Sequence, residues 1–143
     1  MLKSKTLRIA LVTSGVLLVT AASAEVVVIV SANSPVSMLS TSQVSDIFLG
    51  KTAKFPNGST SIALDQMDVS TVRQEFYAKV TDKSPQLLKA YWSKLIFTGQ
   101  GEPPREVIDS KTVKKLVANN PNFIGYIEGT AVDSSVKIIL TLQ

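Results

Sequence analysis

A run of apolar, β-branched residues at positions 26–30 constrains the fold of this chain more than any other feature. The segment Val-Val-Val-Ile-Val contains no polar residue, whereas a strand with one face in water alternates apolar and polar side chains. We therefore predict a strand over residues 25–31 that is buried on both faces and lies in the centre of its sheet. Ser34 and Pro35 end the run.

Downstream of this run, helical and strand patterns alternate. Helices are predicted over residues 40–49, from Asp68 or Ser70 to residue 80, over 84–96 and over 110–118, with Ser40, Ser84 and Ser110 as caps. Further strands are predicted over residues 61–65, 122–127 and 136–142, and residues 98–105 form a loop. The helix over 84–96 has a wide apolar face, so we expect it to be the longest and the most buried. The pattern indicates one α/β domain.

The first 24 residues have the pattern of a secretory signal peptide. Lys3, Lys5 and Arg8 precede an apolar stretch at residues 9–20, and Ala-Ser-Ala follows at 22–24. The alternative, a membrane anchor, needs roughly 20 apolar residues, which is more than this stretch offers. We expect cleavage after residue 24 and an exported mature domain at residues 25–143.

Charge and composition exclude several function classes. The chain carries a net charge of +4, but loss of the three leader cations leaves 12 basic against 11 acidic residues, a net charge of +1. Basic and acidic residues are interleaved, which disfavours nucleic-acid binding. The absence of Cys and His excludes Cys-His and Ser-His-Asp catalysis, thiolate or imidazole metal sites, and disulfides. We expect no enzyme activity, no metal and no cofactor.

Three short motifs do not fit the chemistry that they suggest. Gly50-Lys51-Thr52 ends like a phosphate-binding loop, but the glycine five positions earlier is missing and a helix precedes it where a strand is required. Ser134 and Lys137 have the spacing of a serine acyl enzyme, but they run into a strand, where residues three apart face opposite sides. Asp65 and Asp68 are too few ligands for a hard cation, and a helix cap by Asp68 is the simpler interpretation.

One segment has a physical route to ligand binding. Ser70, Thr71 and Arg73 lie where a strand ends and a helix begins, so free backbone N–H groups, two hydroxyls and a guanidinium could converge on an oxyanion. The alternative is that Ser70 and Thr71 only cap the helix and that Arg73 is solvated. Both interpretations are open at this point.

Five segments spread over residues 26–140 form a recognisable set: 34–36 (SPV), 46–51 (DIFLGK), 73–77 (RQEFY), 91–104 (YWSKLIFTGQGEPP) and 123–127 (FIGYI). In these segments the chain resembles short proteins related to the phosphate-binding component of bacterial phosphate ABC transporters. The resemblance implies a periplasmic-binding-protein type II-like fold, with a mixed sheet flanked by helices, in the periplasm. Full-length members clamp phosphate between two lobes, and residues 25–143 match one lobe.

The resemblance implies phosphate or oxyanion binding or sensing linked to ABC transport, with Ser70, Thr71 and Arg73 as anion-binding residues and Ser34 as a fourth. Residues 65–71 depart from the family pattern, which has a Ser-Gly-Thr turn after an arginine; here there is neither the glycine nor the preceding arginine. The alternative function is therefore a ligand-free interaction module that docks to a transporter or sensor protein. A homodimer that restores a two-lobed cleft is a further possibility.

Overall fold

The computed structural model describes residues 15–16 and 25–143, so the predicted signal peptide lies outside the described residues except for Gly15 and Val16. Residues 25–143 form one mixed five-stranded sheet with strand order β3-β2-β4-β1-β5. In chain order the elements are β1 (Val26–Ser31), α1 (Thr41–Phe48), β2 (Ile62–Gln66), α2 (Thr71–Thr81), α3 (Pro85–Phe97), β3 (Arg105–Val107), α4 (Ser110–Asn119), β4 (Phe123–Glu128) and β5 (Val136–Thr141), with a 3₁₀ turn at Gly129–Ala131. In this part of the chain, no helix combines the length and apolarity that a membrane crossing requires.

Strand β1 occupies the position predicted for it. All six of its residues are buried, and it pairs antiparallel with β4 on one side and with β5 on the other. Strands β2, β3 and β4 run parallel to one another. The expected α/β fold with a mixed sheet flanked by helices is therefore confirmed.

Side chains of β1 alternate between two cores, as a strand covered on both faces requires. Val26, Val28 and Val30 pack in a cluster that includes residues of α1, α2 and α3. Val27 and Ile29 pack on the other face in a cluster with Val113 and Val117 of α4. Helix α4 therefore covers one side of the sheet alone.

Several sequence predictions are wrong in detail. Strand β3 is not predicted by the sequence: it begins at Arg105, the last residue of the predicted loop, and adds three residues to the sheet beside β2. Helix α3 is the longest at 13 residues, but only Leu88 and Trp92 are buried, and Phe97 at its end is 92% exposed. Its apolar residues surround the helix, so one packed side cannot cover them all.

Two predicted helix caps are also wrong. Asp109 caps α4, because its carboxylate accepts the N–H of Thr112 (2.8 Å), and Ser110 is the first helical residue. Asp68 does not cap α2; Ser70 does, by accepting the N–H of Arg73 (3.2 Å). The carboxylate of Asp68 instead forms an ion pair with Arg73 (2.8 Å).

Candidate functional site

The candidate site is an open groove at the carboxyl edge of the sheet, between the first turns of α2 and α4. Parallel strands β2 and β3 end at this edge, and each leads through a short loop into one of these helices. The groove is lined by Ser70, Thr71 and Val72 of the α2 start, by Ser110 and Lys111 of the α4 start, and also by Gln66, Val69, Ile108, Asp109 and Glu128. In open α/β sheets, this edge is where ligands bind.

Each helix start presents unsatisfied backbone donors to the groove. The caps Ser70 and Asp109 satisfy the N–H groups of the third helical residues, Arg73 and Thr112. Among the described residues, the N–H groups of Thr71 and Val72 in α2 and of Ser110 and Lys111 in α4 have no acceptor. Together with the positive ends of two helix dipoles, these four donors form an environment that favours an anion.

Gln66, at the end of β2, links the two helix starts beneath the groove. Its buried side-chain amide donates to Ser110 Oγ (3.0 Å) and to the carbonyl oxygen of Tyr126 (2.9 Å). The Gln66 amide oxygen accepts the hydroxyl of Ser70 (3.0 Å). The Ser70 hydroxyl hydrogen is therefore committed within the protein, whereas Ser110, which accepts from Gln66, keeps its own hydrogen for a ligand.

A buried carboxylate behind the groove holds the side chain of Arg73. Asp65 accepts hydrogen bonds from Tyr77 (2.7 Å), from Tyr126, from the backbone N–H of Gln66 (2.8 Å) and from Arg73 Nε (3.3 Å). The Arg73 guanidinium also lies over the Tyr77 ring, with its central carbon 5.1 Å from the ring centroid. Four protein donors thus satisfy the Asp65 carboxylate.

The electrostatics of this cluster favour neutral tyrosines and a charged arginine. Burial, reinforced by the Asp65 charge, raises the pKa of Tyr77 and Tyr126 well above the ordinary value. Burial is the largest single influence on Arg73 and lowers its pKa, but the neighbouring groups, Asp65 foremost, together outweigh burial and the net shift is upward. At the groove itself, hydrogen bonds from the Thr112 side chain and backbone lower the pKa of Asp109, so this carboxylate stays ionised beside the α4 start.

The structure brings together only two of the four predicted site residues. Ser70 and Thr71 line the groove. The Arg73 guanidinium is on another side of α2, in a groove beside α3, where Asp65 and Asp68 neutralise it. Ser70 caps α2, as one of the two interpretations expects, whereas Arg73 is ion-paired rather than solvated. Anion binding by this segment stays a prediction.

Ser34 does not join the groove. It follows the end of β1, and β1 runs antiparallel to β4, so Ser34 lies at the opposite edge of the sheet from Ser70. Ser34 is buried, where its Oγ accepts the N–H of Val36 (3.1 Å) and its carbonyl oxygen accepts Lys137 Nζ (2.6 Å). Its role there is to shape the turn after β1.

Sequence reasoning missed the α4 half of the groove. The sequence predicts Ser110 only as a helix cap, and Lys111 carries no signal of its own. The missing information was strand β3, whose parallel pairing with β2 places the α4 start beside the α2 start. With only three residues next to two prolines, this strand has too little pattern to be found from sequence.

Comparison with solved structures identifies the fold. The chain superimposes on a protein from Clostridium perfringens, described as a phosphate ABC transporter substrate-binding protein with bound phosphate, at 26% identity and a TM-score of 0.66; the match covers 81% of this chain and 44% of that one. This chain is a single-lobe relative of phosphate-transporter substrate-binding proteins. The chain spans less than half the length of these neighbours.

Two further solved structures agree on the fold. An ABC-type phosphate transport receptor from Vibrio cholerae matches at 20% identity and a TM-score of 0.62, over 81% of this chain and 45% of that one. PstS from Borrelia burgdorferi matches at 12% identity and a TM-score of 0.62, over 81% and 46%. No family model and no curated protein matches the sequence.

Proposed function

We propose that this single-lobe relative is an exported, non-enzymatic protein of the periplasm that binds phosphate or a similar oxyanion in the groove between α2 and α4. The observation that carries the proposal is the convergence of two helix starts whose four free N–H groups line one groove. The neighbour with bound phosphate supports the same ligand class. As in that neighbour, we infer that the bound anion serves ABC transport or its sensing.

The donors in the groove define how the anion is held. The N–H groups of Thr71 and Val72, with the Thr71 hydroxyl, donate from α2, while the N–H groups of Ser110 and Lys111, with the Ser110 hydroxyl, donate from α4. Hydrogen bonds to a charged acceptor contribute about 1.5–3 kcal/mol each before the costs of association are subtracted.

Two carboxylates on the groove limit the affinity. Asp109 and Glu128 oppose the positive contributions of Lys111 and the helix ends. The groove is also open, so a bound anion keeps part of its hydration. We therefore expect a dissociation constant of about 0.1–10 mM, which corresponds to a binding free energy of about 2.7–5.5 kcal/mol.

Arg73 takes part only through a rearrangement. The Arg73 guanidinium forms ion pairs with Asp65 and Asp68. Arg73 therefore contacts the anion only if the anion replaces the exposed carboxylate of Asp68 as its partner. Asp65 is buried and keeps its bond to Arg73 Nε throughout. In this proposal, Ser70 acts only as the cap of α2, because its N–H and its hydroxyl both donate within the protein, while Thr71 supplies the hydroxyl.

Thermal unfolding of the purified protein tests this function. Phosphate at ten times its dissociation constant adds about 1.4 kcal/mol of stability, which raises the melting temperature by several degrees in a domain of this size. Chloride at equal ionic strength is the reference, and sulfate and arsenate extend the panel. Thr71→Val and Ser110→Ala reduce the shift, and Thr141→Val, an exposed threonine on β5, leaves it unchanged. No shift at 100 mM phosphate contradicts the proposal.

A second candidate function is the ligand-free module that docks to a transporter or sensor protein. Its support is that the Ser70 hydroxyl and the Arg73 guanidinium are both satisfied within the protein. The same titration separates the two functions, because a docking module gains no stability from any of the anions.

A further inference from the structure

We propose that two copies of this protein pack face to face across the groove, with one oxyanion held between the four helix starts. This inference rests on the proposed function and adds its partner: a second copy of the chain. It follows from three properties of the surface around the groove, which are its apolar rim, its charges and its openness.

The rim of the groove exposes long apolar side chains on the loops that connect the strands to the helices. Val69 is 85% exposed and Ile108 is 70% exposed, and both line the groove from opposite sides. Met67, on the same loop as Val69, is 44% exposed. A concentration of apolar side chains around a polar site indicates an interface.

The charges on this face complement a second copy of the same face. Lys111 is the cation that lines the groove, and Asp109 and Glu128 are the acids. In an isologous dimer, each contact occurs twice, so Lys111 of each copy can approach an acid of the other. A surface that carries both signs in one patch therefore suits a copy of itself better than a partner of a single charge.

Helix dipoles couple this dimer to the anion. Face-to-face packing brings together the positive ends of α2 and α4 from both copies, so that four helix ends rather than two surround an oxyanion at the centre. The oxyanion then accepts hydrogen bonds from donors of both copies. Since no described residue of the chain covers the groove, the second copy also supplies the missing half of the site.

Sedimentation velocity measures this coupling directly. We compare purified protein over 5–200 μM in chloride and in phosphate of equal ionic strength. The expected result is a monomer in chloride and a dimer in phosphate, with a dimer dissociation constant at least tenfold lower in phosphate than in chloride. The double variant Val69→Ser/Ile108→Ser loses the dimer. Met67→Ser, a rim residue outside the groove lining, weakens the dimer but keeps the phosphate-induced rise in melting temperature at low protein concentration. Phe97→Ser removes an equally exposed apolar side chain on α3 and leaves the dimer intact.

The remaining outcomes separate the dimer, its coupling to the anion and the proposed function from one another. A protein that stays monomeric in phosphate while its melting temperature rises overturns the dimer and leaves the proposed function standing. A dimer of equal strength in chloride and phosphate overturns the coupling to the anion. Loss of the dimer in Phe97→Ser alone overturns the placement of the interface across the groove. Absence of any phosphate effect on melting rejects the proposed function itself, and the coupled dimer with it.

Discussion

Gly125 sets the distance between helix α4 and the sheet, and its replacement by alanine tests this packing. The residue lies in β4, opposite Val113 and Val117. A Cβ atom at position 125 would lie less than 3.0 Å from Val113 Cγ1, but 3.5 Å from Val117 Cγ2 and 3.8 Å from Val113 Cβ, which are ordinary contacts. The overlap therefore involves a single methyl group. Val113 is fully buried between α4 and the sheet, so the added atom forces α4 outward. We therefore expect Gly125→Ala to lower the free energy of unfolding by about 1–3 kcal/mol.

The double-mutant cycle with Val113→Ala makes this prediction specific. Val113→Ala removes two buried methyl groups and costs about 2–3 kcal/mol from lost transfer free energy and the cavity. In that background the new Cβ meets no atom closer than 3.5 Å and fills part of the cavity, so the double variant is no less stable than Val113→Ala alone. The coupling is then at least as large as the cost of Gly125→Ala, and urea unfolding monitored by circular dichroism measures it. Additive costs would refute the assignment of the overlap to Val113.

Three further predictions concern the charged cluster behind the groove. Tyr126→Phe removes a hydrogen bond to the buried Asp65 carboxylate and lowers the free energy of unfolding by about 1.5–3 kcal/mol in urea; a loss below 0.5 kcal/mol contradicts the role of this bond. The pKa values of Tyr77 and Tyr126 are raised in the folded state, so the unfolded chain releases their protons first and stability falls as the pH rises above about 10. In the variant Tyr91→Phe, which keeps only Tyr77 and Tyr126, the tyrosinate absorbance at 295 nm then grows together with loss of circular dichroism, and growth well before unfolding contradicts the prediction. Asp68→Asn frees one side of Arg73 and tightens phosphate binding by about 1.5- to 5-fold, the range of an exposed ion pair, as measured by thermal shift; weaker binding contradicts the proposed exchange.

The parts of the fold that depend on local pattern could be predicted from sequence. The uninterrupted β-branched run gave β1 its central position, and Ser84 with Pro85 marked the start of α3. Burial of α3 could not be inferred in the same way, because an apolar composition does not show how many sides of a helix find a partner. Phe97 is the clearest case, since it is apolar yet almost fully exposed.

The candidate site likewise has one part that local sequence predicts and another that depends on tertiary contacts. The α2 start was predictable, because a strand followed by Ser70 and Thr71 is a local signal for free N–H groups. The carboxylate that holds Arg73 comes from Asp65, eight residues earlier, and its other partners Tyr77 and Tyr126 lie 12 and 61 residues away. Such a cluster depends on tertiary contacts. The placement of Ser34 at the opposite edge likewise follows from the antiparallel pairing of β1, which local sequence does not reveal.

Backbone amide NMR titration with phosphate tests the central claim most directly. If the anion binds between the two helix starts, the amide resonances of Thr71, Val72, Ser110 and Lys111 move most and follow one saturable binding curve. The amide of Ser34, at the opposite edge of the sheet, stays in place and serves as the internal control. Absence of saturable shifts at these four amides, or larger shifts around Ser34 than at the two helix starts, would contradict the account.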